Sequence, residues 1–378
     1  MGGMRTIKGQ PSWRIASDRV EALVTELGGQ LGPIIFDRKG RKIAPYSVAP
    51  WAEEKLPPKM PAILRALRGD FFCLPFGGNA TVFGGEKHPM HGETANAKWR
   101  LEAEKRAGDR HGLHLSLKTK VRAGRVDKEI GLVDGEDAVY IRHTVSGMSG
   151  PMSLGHHAML KFPETEGSGA ISTSPFVYGQ VFPAVLEQAE LGGYSALKIG
   201  AEFQSLHAVP TAAGGVADLS RFPARRGFED LVMVVSDAGL PLAWTAVAFP
   251  REGFVWFALK DAKVLRETVF WFSNRGRHYA PWNSRHLNVL GVEDVTACFH
   301  FGLAESAGPN AISVRWPTCL VLEAEKPLTV NYIMGIAMIP AGFDRVRAIE
   351  PGADHKSITL VAASGEQAAA RVDLGFLA

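Results

Sequence analysis

Leu113-His114-Leu115-Ser116-Leu117-Lys118 alternates apolar and polar side chains, the period of a strand with one buried face and one wet face. Downstream, residues 127–132 and 138–145 form two further strand-like runs, with the turn dipeptide Asp134-Gly135 between them. An Asp-Gly pair between apolar runs predicts a hairpin. Upstream, residues 13–15, 20–25 and 31–36 are short, largely apolar runs separated by polar or glycine-containing turns. Residues 152–162, 231–235, 254–260 and 264–272 continue the series, and 297–302, 320–324, 328–338 and 357–362 close it. Only 61–67 and 184–191 suit helices, of about two turns each, too short to nucleate alone. Many short strands with few short helices predict an all-β fold, a sandwich or a barrel. No fixed-period repeat or low-complexity linker divides the chain, and Pro57-Pro58 and Gly214-Gly215 read as surface loops. All-β units outgrow the usual ~150-residue domain. Residues 9–378 are therefore expected to form a single domain after a disordered start at 1–8.

The chain has 378 residues, 46% of them hydrophobic, which is ample for a large core. Its 42 basic and 39 acidic residues leave a formal charge of +3, spread without a basic stripe. That distribution argues against a nucleic-acid partner. Cys73, Cys298 and Cys319 are odd in number, far apart and set among apolar neighbours. They suit free thiols in a reducing compartment rather than a disulfide framework. The N-terminus lacks an apolar signal core, and no run of about 18 apolar residues occurs, so neither export nor a membrane is expected. Met1-Gly2 through Thr6 fits the short myristoylation pattern, a frequent chance match. The expected location is the cytoplasm.

Four patches hold polar and aromatic residues that a plain sandwich does not need. The first is Pro75-Phe76-Gly77-Gly78-Asn79 with His88-Pro89-Met90-His91-Gly92-Glu93 and Trp99. The second is the histidine pair in Leu154-Gly155-His156-His157-Ala158-Met159-Leu160. The third is Gly227-Phe228-Glu229-Asp230, and the fourth runs from Tyr279 through Trp282-Asn283-Ser284-Arg285-His286 to Gly291-Val292-Glu293-Asp294.

In chain order, Leu27-Gly28-Gly29-Gln30-Leu31, Gly78-Asn79, His91-Gly92, Trp99, His157-Ala158-Met159-Leu160 and Gly291-Val292-Glu293 resemble the motifs of galactose mutarotase-like (aldose 1-epimerase) proteins. Each motif is short; their order and spacing over roughly two thirds of the chain carry the resemblance. Two positions depart from the family pattern. Ala80 stands where an arginine follows the loop asparagine, and Glu93 replaces a second glycine after His91-Gly92. The acidic sugar-binding position in mid-chain is best matched by Glu229, with Asp230 next.

The resemblance implies a large twisted β-sandwich, the supersandwich of this family, and an isomerase acting on a small-molecule carbohydrate without metal or organic cofactor. Opening a pyranose ring removes the C1 hydroxyl proton while protonating the ring oxygen, work for a carboxylate and an imidazole. By resemblance Glu293 is the base, His157 the acid, and His91 polarises the ring oxygen or a neighbouring hydroxyl. Trp99 and Trp282 would stack on the sugar, while Asn79, Glu229, Asn283 and Arg285 would bind its hydroxyls. The three catalytic residues are expected to converge on one concave sheet face.

Each assignment has a plainer counterpart. His91, flanked by Pro89 and Gly92, also suits a turn. In a strand His156 and His157 face opposite sides, so one of them is a core or surface residue. Trp99 and Trp282 serve equally well as core packing. Two other functions compete. A cupin-type metal site would use His88, His91 and Glu93, although Pro89 breaks the strand such a site needs. A non-catalytic carbohydrate-binding or regulatory protein on the same scaffold is the other, and Ala80 suits it.

Overall fold

Strands begin and end where the alternation does. A computed structural model describes residues 3–378, and the Leu113 alternation lies within the strand Arg110–Thr119, with Leu113, Leu115 and Leu117 buried. The first two residues of the myristoylation pattern fall outside the described residues. Arg5–Ile7, within the start expected to be disordered, is a strand paired with Gln10–Ala16. The only α-helices among the described residues are the five-residue segments Ala62–Ala66 and Leu303–Ala307. None is long and apolar enough to cross a membrane. The chain is all-β.

Its backbone gathers into two compact units: residues up to Ala158 with Val264–Arg266 and Asp294–Tyr332, and Met159–Lys263 with Glu267–Glu293 and Ile333–Ala378.

In the first unit, Arg5–Ile7, Gln10–Ala16, Glu21–Thr25 and Leu31–Ile35 form a sheet in chain order. A second meander comprises Arg100–Ala107, Arg110–Thr119, Gly124–Val133 and Ala138–Ser146. Phe72–Cys73 pairs with Leu154–His156, which pairs in turn with the last residues of Val289–Thr296. Among the fully buried side chains of this unit are Phe36, Trp51, Phe71, Phe72 and two cations, Arg68 and Lys128. A buried cation needs acceptors. Arg68 donates to the carbonyls of Ala66, Ile7 and Lys8, and Lys128 Nζ donates to the Gly29 carbonyl at 2.7 Å.

In the second unit, Phe228–Ser236 lies between Phe176–Val181 and Glu267–Asn274, and Val289–Thr296 borders Glu267–Asn274. Gly169–Thr173, Ala243–Phe249 and Phe254–Lys260 form a second ladder. Phe162 packs edge-on to Phe222 and Phe249, each at 5.0 Å between ring centres. Every residue of Ala243–Phe249, Phe254–Lys260, Glu267–Asn274 and Val289–Thr296 is buried. A carboxylate in such strands is expensive unless it is partnered.

Three sequence expectations change. Residues 152–162 are not one strand but Gly150–Met152, Leu154–His156 and Ala158–Lys161. The second break falls at His157, whose N–H donates to the Phe71 carbonyl at 2.9 Å. Residues 297–302 form bends rather than a strand. There Phe299 adopts φ +47° and Cys298 N–H donates to Ser306 Oγ. The expected helix at 184–191 is only a 3-10 turn, Ala189–Leu191. Upstream of it Glu187 is tied to Arg277 at 2.6 Å.

Candidate functional site

The first unit holds a histidine cluster assembled by loops. Gly78 and Asn79 donate their N–H groups to the carbonyls of His300 and Phe301, each at 2.8 Å. The Asn79 amide donates to the carbonyls of Pro75, Gly77 and Pro89 and accepts from Leu303 N–H. Its hydrogen-bonding capacity is spent on these loops, so Asn79 shapes the site rather than reaching for a sugar. The His-Gly motif is steric. Gly92 has φ +74°, and a Cβ there would sit 1.9 Å from the Leu74 carbonyl oxygen, which only glycine avoids.

His91 is buried, with its ring edge-on to Phe76 and His157, each at 5.0 Å between ring centres. Its Nε2 lies 2.9 Å from Nε2 of His300. His157 stacks on Phe71 at 4.5 Å. Burial, reinforced by His300, pushes the His157 pKa down to about 3, with Asp70 opposing. Burial, then His300 and His157, lowers His91 well below the ordinary range. Both rings are therefore neutral at pH 7.

His156 is the structural member of the pair. Its Nδ1 meets Asp70 Oδ2 at 2.9 Å with both side chains fully buried, and its ring stacks on Tyr332 at 4.1 Å. Asp294 is engaged by the hydroxyl of Tyr332 at 2.7 Å. Burial works against ionisation of Asp70, yet His156 and Lys128 hold its carboxyl below the usual range.

The second unit holds an acidic and aromatic cluster on sheet residues. Glu229 stands directly opposite Ser273, and Leu231 opposite Trp271, on neighbouring strands. Glu229 accepts from Trp271 Nε1 (2.8 Å), Ser273 Oγ (3.0 Å) and Gly276 N–H (3.1 Å). His286 Nδ1 lies 2.6 Å from that same Ser273 hydroxyl. Since the hydroxyl proton goes to Glu229, His286 is the donor to Ser273. Burial pushes the Glu229 pKa up to about 7, against the pull of Arg277, Ser273 and Trp271. Glu293 is 1% exposed, and burial raises it well above the carboxylate range against the pull of Arg277.

The Gly-x-Glu motif also has a packing cause: a Cβ on Gly291 would lie 2.9 Å from Glu293 Oε1 and 3.0 Å from Trp271 Cβ. The Arg277 guanidinium sits 4.6 Å from the Trp282 ring centre and 5.1 Å from that of Trp271. It also binds Glu187, whose other oxygen accepts from Tyr279.

The remaining sequence candidates are placed as follows. Trp282 belongs to the acidic cluster, edge-on to Trp271 at 5.7 Å. Trp99 is core, donating Nε1–H to Thr94 O at 2.8 Å and covering Gly29. Asn283 is exposed, and Arg285 donates to the Pro281 carbonyl at 3.0 Å. Asp230 faces away from Glu229, accepting from Ala196 and Leu197 N–H and pairing with Arg225. His88 pairs with Glu86, Glu93 accepts from Lys120 and Val121 N–H, and His91 meets His300. The three cupin-type candidates thus point to three separate sets of partners. Sequence reasoning missed His300, Arg277, Trp271 and Glu187, and named His286 only as part of the fourth patch, with no role. His300 lay in a run read as a strand, and the others carry no local motif.

No protein-family model matches the sequence, and comparison with curated proteins returns no match. Solved structures do match. A galactose mutarotase-like protein from Clostridium acetobutylicum aligns with TM-score 0.58 at 11% identity, over 89% of this chain and 98% of that one. The galactose mutarotase related enzyme from Lactobacillus acidophilus aligns with TM-score 0.55 at 11% identity, over 86% and 97%. The chain has the galactose mutarotase-like β-sandwich fold, as the order of its motifs implied.

Proposed function

We propose that this chain binds an aldose or aldose derivative and interconverts its anomers by acid–base ring opening, with Glu293 and His157 moving the protons. The observation that carries the reading is Glu293. It is a buried carboxyl whose pKa is raised by burial, in a strand where Gly291 makes room for it beside Trp271, with Arg277 favouring its ionised form. Tuning a carboxyl toward the working pH is what a general base needs. In the reaction the C1 hydroxyl gives up its proton as the bond from C1 to the ring oxygen breaks and C1 becomes a carbonyl. The ring oxygen takes a proton, and rotation about C1–C2 followed by the reverse steps closes the other anomer. Burial favours the uncharged form of each group, and at Glu293 Arg277 pulls the other way, toward the ionised base.

Trp282, Trp271 and Arg277 offer an aromatic and cationic wall on which a sugar face and its hydroxyls fit. Glu229 and the exposed Asn283 are further hydroxyl partners in this reading. A single domain of residues 9–378 and a cytoplasmic location belong to the same proposal, the latter supported by Cys73, Cys298 and Cys319 forming no disulfide among the described residues.

The test is anomer exchange across a panel of aldoses and aldose phosphates, followed by polarimetry or NMR. Glu293→Gln keeps shape but removes basicity, so it should lower kcat by roughly a hundredfold or more while sugar affinity stays near wild type. His157→Asn should act similarly, and the double variant should lose less than the product of the two. Ala80, exposed where the family pattern has arginine, is the one feature favouring a non-catalytic sugar-binding protein. Tight binding with exchange at the buffer rate would establish that reading instead.

A further inference from the structure

The loop that carries Ala80 is fastened through Gly78 and Asn79 to the segment that carries His300. That segment places the half-buried His300 against His91, ring centres 4.7 Å apart and Nε2 to Nε2 at 2.9 Å. Two imidazole nitrogens at that distance require one proton between them, because two donors repel and two acceptors gain nothing. The other nitrogen of His91 faces a donor: Gly77 N–H points at Nδ1 from 3.4 Å. Nδ1 is therefore the bare nitrogen of a neutral His91, and the proton sits on Nε2, given to Nε2 of His300.

We propose that His300 is a positioning residue for the acid–base site: by accepting the Nε2 proton of His91 it holds that ring in one tautomer, with Nδ1 turned to the Gly77 N–H. This rests on the sugar reading for its catalytic meaning, but the pairing itself does not. A second proton on His91 would go to Nδ1 and set N–H against the Gly77 N–H, so His91 stays neutral. The titratable groups facing His91 are His300 and His157. Asp70, the residue before Phe71, acts on His157. A proton on His300 would repel one on His91, so removing His300 should raise the His91 pKa toward the ordinary histidine range.

The experiment is 15N-resolved imidazole NMR between pH 5 and pH 8 on the full chain, wild type, His300→Gln and His300→Phe, with anomer exchange measured in parallel. In wild type His91 should show a protonated Nε2 and a bare Nδ1. His300→Gln, whose amide oxygen still accepts, should keep that tautomer while the His91 titration moves upward. His300→Phe should lose the single tautomer and lower kcat about tenfold or more with KM within about threefold, and Gln should restore most of the rate. A wild-type His91 protonated on Nδ1, or a His91 spectrum and titration unchanged in both variants, overturns the proposal. One equivalent of zinc retained through dialysis and lost in His300→Phe overturns it too, since a metal needs both Nε2 atoms bare. If wild type accelerates no aldose, the sugar reading falls and the NMR arm still decides the pairing.

Discussion

Glu229→Gln separates electrostatic cost from hydrogen bonding in one residue. The Glu229 carboxyl has its pKa raised from 4.5 to about 7 in the folded protein. At about 1.36 kcal/mol per pH unit, ionising it costs roughly 3 kcal/mol of folding stability once both states are deprotonated. The folded chain holds this proton more tightly than the unfolded one. The stabilising effect is therefore complete below about pH 4.5 and fades as pH rises through 7. About 1 kcal/mol is already gone at pH 5 and nearly all of it at pH 8, a change of roughly 2 kcal/mol.

Glutamine does not titrate. Its carbonyl can accept from Ser273 and Gly276 as Glu229 does, but its NH2 faces Trp271 Nε1–H, donor against donor, for about 1–3 kcal/mol at every pH. Glu229→Gln should thus be destabilising at pH 5 and close to neutral or stabilising at pH 8. Urea titrations of both proteins at the two pH values read the difference of differences. A stability gap between wild type and variant that is constant to within about 0.5 kcal/mol over that range refutes the argument that burial holds the proton on Glu229.

Gly291→Ala should cost about 1–3 kcal/mol by overpacking, because the new methyl meets Glu293 Oε1 and Trp271 Cβ at about 3 Å. A urea midpoint equal to wild type counts against that packing. Trp282→Ala should raise the dissociation constant for the bound sugar about tenfold, the scale of a lost aromatic contact, as measured by calorimetry. Trp99→Phe should leave that constant unchanged and instead cost about 1 kcal/mol of stability through the lost hydrogen bond to Thr94. If Trp99→Phe weakens binding as much as Trp282→Ala does, Trp99 is a sugar platform after all.

How much was legible varies with the kind of residue. The alternation at Leu113 to Lys118 announced its strand because a half-buried strand imposes a period of two on the residues themselves. Runs that are buried on both faces carry no such period. Of two such runs, 254–260 was read from apolar content and Ala243–Phe249 passed unnoticed, while residues 152–162 read as one strand although His157 leaves the ladder for the Phe71 carbonyl. Residues 297–302 looked strand-like by apolar content, but the chain bends there to bring His300 to His91. Of the proposed site, Glu293, His157 and His91 were named from short motifs. Two motif glycines turned out to mark close approaches, Gly92 to the Leu74 carbonyl and Gly291 to Glu293 and Trp271.

The amino-acid sequence alone determined that the chain is all-β and which few residues are candidates for acid–base chemistry, because periodicity and residue type are properties of the chain. The partners of those residues came only with the tertiary structure. Arg277 reaches Glu187 across ninety positions of sequence, and His300 reaches His91 across 209. Whether an asparagine such as Asn79 offers its amide to a ligand or spends it on loops depends on which carbonyls folding brings near it. Likewise, whether a carboxyl keeps its proton at neutral pH depends on how much water the folded chain removes, and no local pattern records either quantity.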